Sequence, residues 1–162
     1  MKINNAINVV ALVIIVAILS TVGITVSQAK ERKHYTEVSY ALVEEYEVPA
    51  LTKYVQKRSK VKLSEYQAKT IVTSAIRHGN KFKIDPTLVL AVAEVESEFN
   101  PKARSSSSSA YGLMQVIPYW HKEKIRNRDM RQAKEQIAVG AEVLAEYIES
   151  GGSVKAALKL YS

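Results

Sequence analysis

The sequence predicts an all-α protein in which a helical domain lies behind an N-terminal membrane segment. Two observations lead to this fold class: an uncharged apolar run at residues 7–26, and a succession of capped amphipathic helices from residue 64 onward. No stretch shows a convincing strand pattern, and no internal repeat is present. The 162 residues have room for one modest domain and an attachment.

The N-terminal run, INVVALVIIVAILSTVGITV, has the roughly 20 apolar residues that cross a bilayer as a helix. Cleavage as a secretory signal after Ala29 is the alternative. The run is longer than the roughly 7–15 residues of a signal core, which favours an uncleaved anchor. We therefore predict a transmembrane or signal-anchor segment at residues 1–29.

The flanking charges bear on the orientation of this segment. Three basic residues follow it, at positions 30, 32 and 33, whereas Lys2 alone precedes it. The positive-inside rule would then hold the carboxyl side in the cytoplasm. A protein delivered by another route, such as from a virus particle, would not follow that rule.

Composition restricts the chemistry. The formal net charge is +7, which favours an anionic partner, although solubility alone explains it equally well. No motif that reads nucleic acid is present, so we expect no nucleic-acid partner. There is no cysteine, and the three histidines lie far apart in the sequence. We therefore expect neither a metal nor another cofactor.

Residues 30–63 are predicted to form a helical stalk or linker, which could also pack on the domain. Val38, Leu42 and Tyr46 recur every four positions, as in a short amphipathic helix. Pro49 should end that helix. A second helical piece is predicted from Ala50 to about residue 58.

The domain itself is predicted at residues 64–162, because helix start and stop signals follow one another from Ser64. Ser64 and Gln67 form a capping box. Asp85 and Pro86 should start a helix that runs to about Ser97. The remaining signals are Gly79 as a helix end, Asp129 as the start of a long helix, Gly151–Gly152 as its break, and Ser153 as the cap of the last helix.

Three glutamates, Glu94, Glu96 and Glu98, end the helix from Pro86. At 100° per residue Glu96 lies within about 20° of Val89, in the middle of the apolar face, with Val95 at its edge. Glu94 and Glu98 lie near the opposite side and should be solvated. A carboxyl on the buried face has a raised pKa and suits a general acid, although a purely structural role is also compatible with that position.

The stretch that follows resembles the soluble lytic transglycosylase family. Residues 96–105 read ESEFNPKARS, residues 112–115 read GLMQ, and Pro118 comes shortly after. Similar motifs surround them: Ile84-Asp85-Pro86, the set Ile137, Gly140 and Leu144, and Ala157-Leu158 with Tyr161. The resemblance covers about residues 66–162 and implies a lysozyme-like helical fold.

The resemblance also implies a reaction on peptidoglycan. Glu96 would protonate the bond between N-acetylmuramic acid (MurNAc) and N-acetylglucosamine, and then act as base on the muramic 6-hydroxyl, giving a 1,6-anhydro product. Ser105 would orient the acetamide, Gln115 and the backbone near Met114 would line the sugar groove, and Tyr161 would lie over Glu96 or the sugar. Tyr111 is a candidate for stacking on sugar.

Departures from the family pattern leave alternatives open. The serine loop is one residue longer than usual, and Ser162 stands where the family has Asn. The family domain normally continues beyond this point, so the domain is either truncated or completed by another element.

We predict a membrane-anchored lytic transglycosylase that acts on the cell-wall side and opens peptidoglycan for a secretion or phage-entry apparatus. A hydrolytic muramidase of goose-lysozyme type is an alternative, and it would need Glu94 or Glu98 turned inward. The second alternative is a non-catalytic scaffold that binds peptidoglycan.

Overall fold

The computed structural model describes residues 28, 30–31, 41 and 43–161. The chain divides into two compact units, Met1–Tyr46 and Glu47–Ser162. The predicted membrane segment at residues 7–26 lies outside the described residues, as do Val38 and Leu42. No helix within the described part of the chain is both long and apolar enough to cross a membrane.

The second unit is helical, which confirms the predicted all-α class. A π-helical turn, Val43–Glu47, leads into it. Its helices are α1 (Val48–Arg58), α2 (Glu65–Phe82), α3 (Pro86–Ser97), α4 (Lys122–Ile125), α5 (Ala133–Gly151) and α6 (Val154–Tyr161). Between residues 43 and 161 there are no strands, only two isolated β-bridges, Arg104–Tyr111 and Tyr111–Val116.

The core lies where α2 and α5 pack against each other. α2 also contacts α1 and α3, while α5 contacts α3 and α6. Ile71 and Val72 of α2 and Ile137 and Leu144 of α5 are fully buried. Burial of such apolar faces is the main favourable contribution to the folding of the domain.

Several predicted helix boundaries are confirmed. The Ser64 side chain accepts the backbone N–H of Gln67, and the Gln67 side chain accepts that of Ser64. Asp85 caps α3 by accepting the backbone N–H of Thr87. At the carboxyl end, α5 stops at Gly151–Gly152, and the Ser153 hydroxyl accepts the Ala156 N–H at the start of α6.

Three boundary predictions are wrong. Pro49 does not end a helix but lies in the first turn of α1, where its missing N–H is not needed. Gly79 lies inside α2, where a Cβ would come within 2.9 Å of the Ile84 carbonyl oxygen. Asp129 caps a separate turn by accepting the Arg131 N–H, and α5 begins only at Ala133.

The predicted stalk contributes to the helical domain. Its residues from Glu47 onward belong to the second compact unit. Val48, Thr52 and Val55 of α1 are buried, and α1 packs on α2. The sequence left open whether the predicted stalk packs on the domain, and its residues 47–63 do. The division of the chain at residue 63 stays a prediction.

One buried glutamine connects three segments of the second unit. The Gln136 side chain is 1% exposed. Its Oε1 accepts the Leu113 N–H at 2.8 Å, and its Nε2 donates to the carbonyl oxygens of Pro101 (2.9 Å) and Met130 (2.8 Å). Gly112, at φ +81°, makes room for this amide, since a Cβ there would lie 2.5 Å from Gln136 Cδ. Buried polar groups are costly without partners, so this amide fixes the three segments together.

Replacing Gln136 with leucine should lower the free energy of unfolding by about 2–4 kcal/mol, because one buried and two part-buried main-chain groups would lose their partner. Urea unfolding measures the change. Gln132→Leu is the control: Gln132 is exposed and donates only to Asp129, so its loss should cost less than about 0.5 kcal/mol. Equal losses for the two variants would contradict this role of Gln136.

Candidate active site

Glu96 lies in the last turn of α3 and is partly buried. Its neighbours on the same face, Val89, Val92 and Ala93, are buried as the helical periodicity predicted. Val95, expected at the edge of that face, is instead 83% exposed. Burial raises the pKa of the Glu96 carboxyl. The partial negative charge at the end of α3 also disfavours the carboxylate.

The carboxyl of Glu96 faces a small apolar cavity of about 230 Å³. Leu88, Val92 and Val95 of α3 form one wall, and Leu158 and Tyr161 of α6 form the other. No second carboxylate is among the residues that line this cavity. Such a pocket favours the protonated carboxyl, the form required for a general acid.

Tyr161 separates this cavity from a second one of about 280 Å³. The second cavity is lined by Gln115, Trp120, His121 and Tyr147 among others. The Tyr161 hydroxyl donates to the Met114 carbonyl oxygen at 2.9 Å. Burial and then the nearby Glu96 charge raise the pKa of Tyr161, so this phenol remains protonated. Tyr161 therefore lines both cavities, whereas Glu96 lines the first one alone.

The GLMQ turn is hydrogen-bonded directly to the end of α3. The Ser97 hydroxyl, which is buried, contacts the Leu113 carbonyl oxygen at 2.8 Å and that of Ala93 at 2.9 Å. Ser97 is the residue immediately after Glu96. Sequence reasoning missed the roles of Ser97 and Gln136, although the ESEF motif contains Ser97.

Two of the predicted sugar-binding residues lie in this turn. Gln115, at φ +44°, lines the second cavity and donates to the carbonyl oxygens of Gly112 (2.9 Å) and Ala103 (3.3 Å). The Met114 side chain is 1% exposed and fits against Gly140, where a Cβ would lie 2.3 Å from the sulfur. Only the Met114 main chain faces Tyr161. Sugar binding by Gln115 and by this main chain stays a prediction.

Apart from Tyr161, the remaining predicted substrate-binding residues, Ser105 and Tyr111, lie elsewhere. The Ser105 hydroxyl accepts the N–H groups of Ser107 (3.2 Å) and Ser108 (3.1 Å), so it shapes the serine loop. Ser105 lines neither of the cavities beside Glu96. Tyr111 lines a different cavity, with the Arg104 guanidinium 4.6 Å from its ring centre. Binding of substrate by Ser105 and by Tyr111 stays a prediction.

Glu94 and Glu98 lie away from the Glu96 cavity, on the side expected. Glu94 is not freely solvated, contrary to expectation: its side chain is 17% exposed and accepts from Tyr54 Oη and Arg58 Nε, each at 2.5 Å. The Tyr54 hydrogen bond lowers the pKa of Glu94. Glu98 is more exposed and pairs with Lys60 Nζ at 3.0 Å. Both carboxylates thus connect α3 to α1 or to the turn after it.

Comparison with known families identifies the domain. The model of the Transglycosylase SLT domain matches residues 73–162. The chain belongs to the transglycosylase SLT family. The match includes Glu96, the GLMQ turn and Tyr161, and it begins within α2, so α1 precedes it.

Curated relatives support this membership of the SLT family. Three relatives from Actinobacillus pleuropneumoniae, of serotypes 5b, 3 and 7, are each 41% identical to this chain over 54 residues. Each of them is named membrane-bound lytic murein transglycosylase C. The aligned part is 33% of this chain and only 14% of the length of each relative. No solved structure matches the chain.

The raised pKa of Glu96 predicts a pH-dependent difference in stability. Between the ordinary glutamate pKa and the raised one, the folded chain binds more protons than the unfolded chain. The stability from protonated Glu96 is complete below the ordinary pKa and is lost as pH rises through the raised value. Glu96→Gln stays neutral, so relative to wild type it should gain stability as pH rises from mild acid to neutral.

Urea unfolding across this pH range tests the difference. Glu98→Gln is the control, because Glu98 is exposed and paired with Lys60. It should show no such gain at neutral pH. The same pH trend in both variants would refute the assignment of the effect to Glu96.

Removing the Tyr161 hydroxyl should loosen the contact between α6 and the GLMQ turn. Tyr161→Phe leaves the Met114 carbonyl oxygen without this donor and should cost about 0.5–1.5 kcal/mol of unfolding free energy. Tyr147→Phe is the matched control, because no described residue accepts a hydrogen bond from the Tyr147 hydroxyl. An equal loss in both variants, by urea unfolding, would argue against the Tyr161 contact.

Proposed function

We propose that the protein is a peptidoglycan lytic transglycosylase that cleaves the β-1,4 bond between MurNAc and N-acetylglucosamine. The observation that carries the proposal is the single protonatable carboxyl of Glu96 in an apolar cavity, within an SLT domain. Membership of the family supports the substrate class, and the name of the matched relatives agrees with it.

The proposed reaction uses one carboxyl twice. Protonated Glu96 donates its proton to the glycosidic oxygen as the bond to the muramic C1 breaks. The acetamide of the substrate stabilises the resulting oxocarbenium centre. The Glu96 carboxylate then accepts the proton of the muramic 6-hydroxyl, whose oxygen bonds to C1. The product is 1,6-anhydroMurNAc, no water is consumed, and Glu96 is protonated again.

The arrangement of the other carboxylates favours this reaction over hydrolysis. A hydrolytic muramidase of the inverting or retaining type uses a second carboxylate about 5–9.5 Å from the acid. Glu94 is held by Tyr54 and Arg58, and Glu98 is paired with Lys60, so neither lines the Glu96 cavity. The goose-lysozyme alternative therefore lacks its second group among the described residues.

The remaining site residues have proposed roles that follow from their positions. Tyr161 lies between the two cavities and could support the sugar beside Glu96. Gln115 lines the second cavity and could contact a neighbouring sugar. For Ser105 to orient the acetamide, the serine loop would have to move, because its hydroxyl now binds within that loop.

The proposed location is the cell-wall side of a membrane. The apolar run at residues 7–26 would anchor the protein, with residues 30–46 leading to the domain. A protein held in this way suits local opening of the wall by a secretion or phage-entry apparatus, and the chain would act there either from the periplasm or as a virion component.

Product analysis tests the proposed reaction. Purified peptidoglycan incubated with the protein should yield fragments ending in 1,6-anhydroMurNAc, identified by mass spectrometry. Glu96→Gln should lower the product by at least about a hundredfold, the lower range of a general-acid contribution. Glu98→Gln is the control and should retain activity.

Each contrary outcome has a distinct meaning. Reducing-end products would assign the protein to the hydrolytic muramidases. Binding to peptidoglycan without any product would favour the scaffold alternative. Full activity in Glu96→Gln would remove Glu96 from the mechanism.

A further inference from the structure

A third cavity, of about 660 Å³, lies between the start of α2, the loop from Pro101 and the start of α5. We call it the basic groove because of its lysine and arginine side chains. Among its lining residues are Leu63, Tyr66, Ile71, Lys102, Arg104 and Lys134. It shares no lining residue with the cavities beside Glu96. Neither the family match nor the proposed reaction assigns it a role.

The groove carries uncompensated positive charge. Four cations line it, and no acidic residue does. Arg131, the fourth, is bound by Asp129 at 2.8 Å. Lys102, Arg104 and Lys134 form no ion pair with any described acidic residue, and Arg104 lies over the Tyr111 ring. Clefts lined by charge of one sign concentrate ligands of the opposite sign.

The walls of the groove are apolar and aromatic as well as cationic. Tyr66, which is 81% exposed, and the half-buried Tyr111 and Ala133 supply its accessible apolar surface, whereas Leu63 and Ile71 are almost fully buried. A ligand with small apolar groups and free carboxylates would satisfy both features. A phosphodiester polymer would use the charge but leave the apolar surface uncovered. A carboxylate-bearing peptide is therefore the better match.

The walls of the groove are also pre-formed, and one loop connects the groove to the cavity beside Tyr161. Gln136 binds the carbonyl oxygen of Pro101, which lines the groove, and that of Met130, which directly precedes the lining residue Arg131. Tyr111 forms β-bridges with Arg104 and Val116. Arg104 lines the groove and Val116 lines the cavity beside Tyr161, so the loop that contains both residues forms part of each wall. Pre-formed walls reduce the cost of ordering on binding.

We propose that the basic groove binds the carboxylate-bearing peptide substituent of a peptidoglycan strand. This inference rests on the proposed function for the identity of the strand. The groove thereby selects strands that still carry peptides and helps to hold them while a neighbouring glycosidic bond lies at Glu96.

Two probes separate peptide recognition from sugar recognition: a peptidoglycan disaccharide with its tetrapeptide, and the same disaccharide without peptide. Binding is measured calorimetrically with the full chain carrying Glu96→Gln, which prevents turnover. We expect the peptide-bearing probe to bind about three- to tenfold more tightly at low salt. Raising the salt concentration should reduce this preference, because exposed charges are screened.

The variant that tests the groove is Lys102→Ala/Lys134→Ala in the same background. Both side chains are exposed, so folding should persist, as circular dichroism will verify. The preference for the peptide-bearing probe should disappear. Lys53→Ala/Lys57→Ala is the matched control: it removes two exposed charges from α1, outside the groove, and should keep the preference.

The outcomes distinguish this inference from the proposed function. An absent preference, or one that survives in the groove variant, overturns the inference. Equal loss in the control variant assigns the attraction to net charge and also overturns it. A preference that depends on the groove, in a protein whose wild-type form yields no anhydro product, would support the groove and reject the proposed reaction.

Discussion

The buried side-chain amide of Gln136 is the constraint on which the site depends. It binds the Leu113 N–H and two carbonyl oxygens from separate segments. Leu113 is also bound by Ser97, the residue after Glu96, and the next carbonyl, that of Met114, accepts from Tyr161. A polar group buried this deeply must be fully satisfied, so the backbone has little freedom to rearrange. The position of Glu96 relative to α6 therefore follows from packing around one α5 side chain.

The end of α3 separates its three carboxyls by environment. Glu96 faces an apolar cavity and has a raised pKa, whereas Glu94 binds Tyr54 and Arg58 and has a lowered one. Residues two apart on a helix point about 160° away from each other, so neighbours in sequence reach different surroundings. One helix can thus provide a proton donor on one side and, on the other, a carboxylate whose lowered pKa favours the charged form that binds α1.

Local signals in the sequence predicted much of this arrangement. The caps at Ser64 and Asp85 and the burial of Glu96 each depend on residues within one or two helical turns. Gly79 was misread as a helix end because its real constraint is the approach of Ile84 and Pro86. The role of Gln136 could not be predicted, because its partner Leu113 is 23 residues away. Sequence periodicity says which side chain is buried, but not which distant backbone group it meets.

The region before the family match also supports the site. The SLT match begins at residue 73, yet α1 buries Val48 and Val55 in the same unit and supplies both hydrogen-bond donors to Glu94. Without α1, apolar surface on α2 would be exposed, and Glu94 would lose the contacts that hold α3 from outside. The compact unit that contains Glu96 therefore includes α1 and extends back to Glu47.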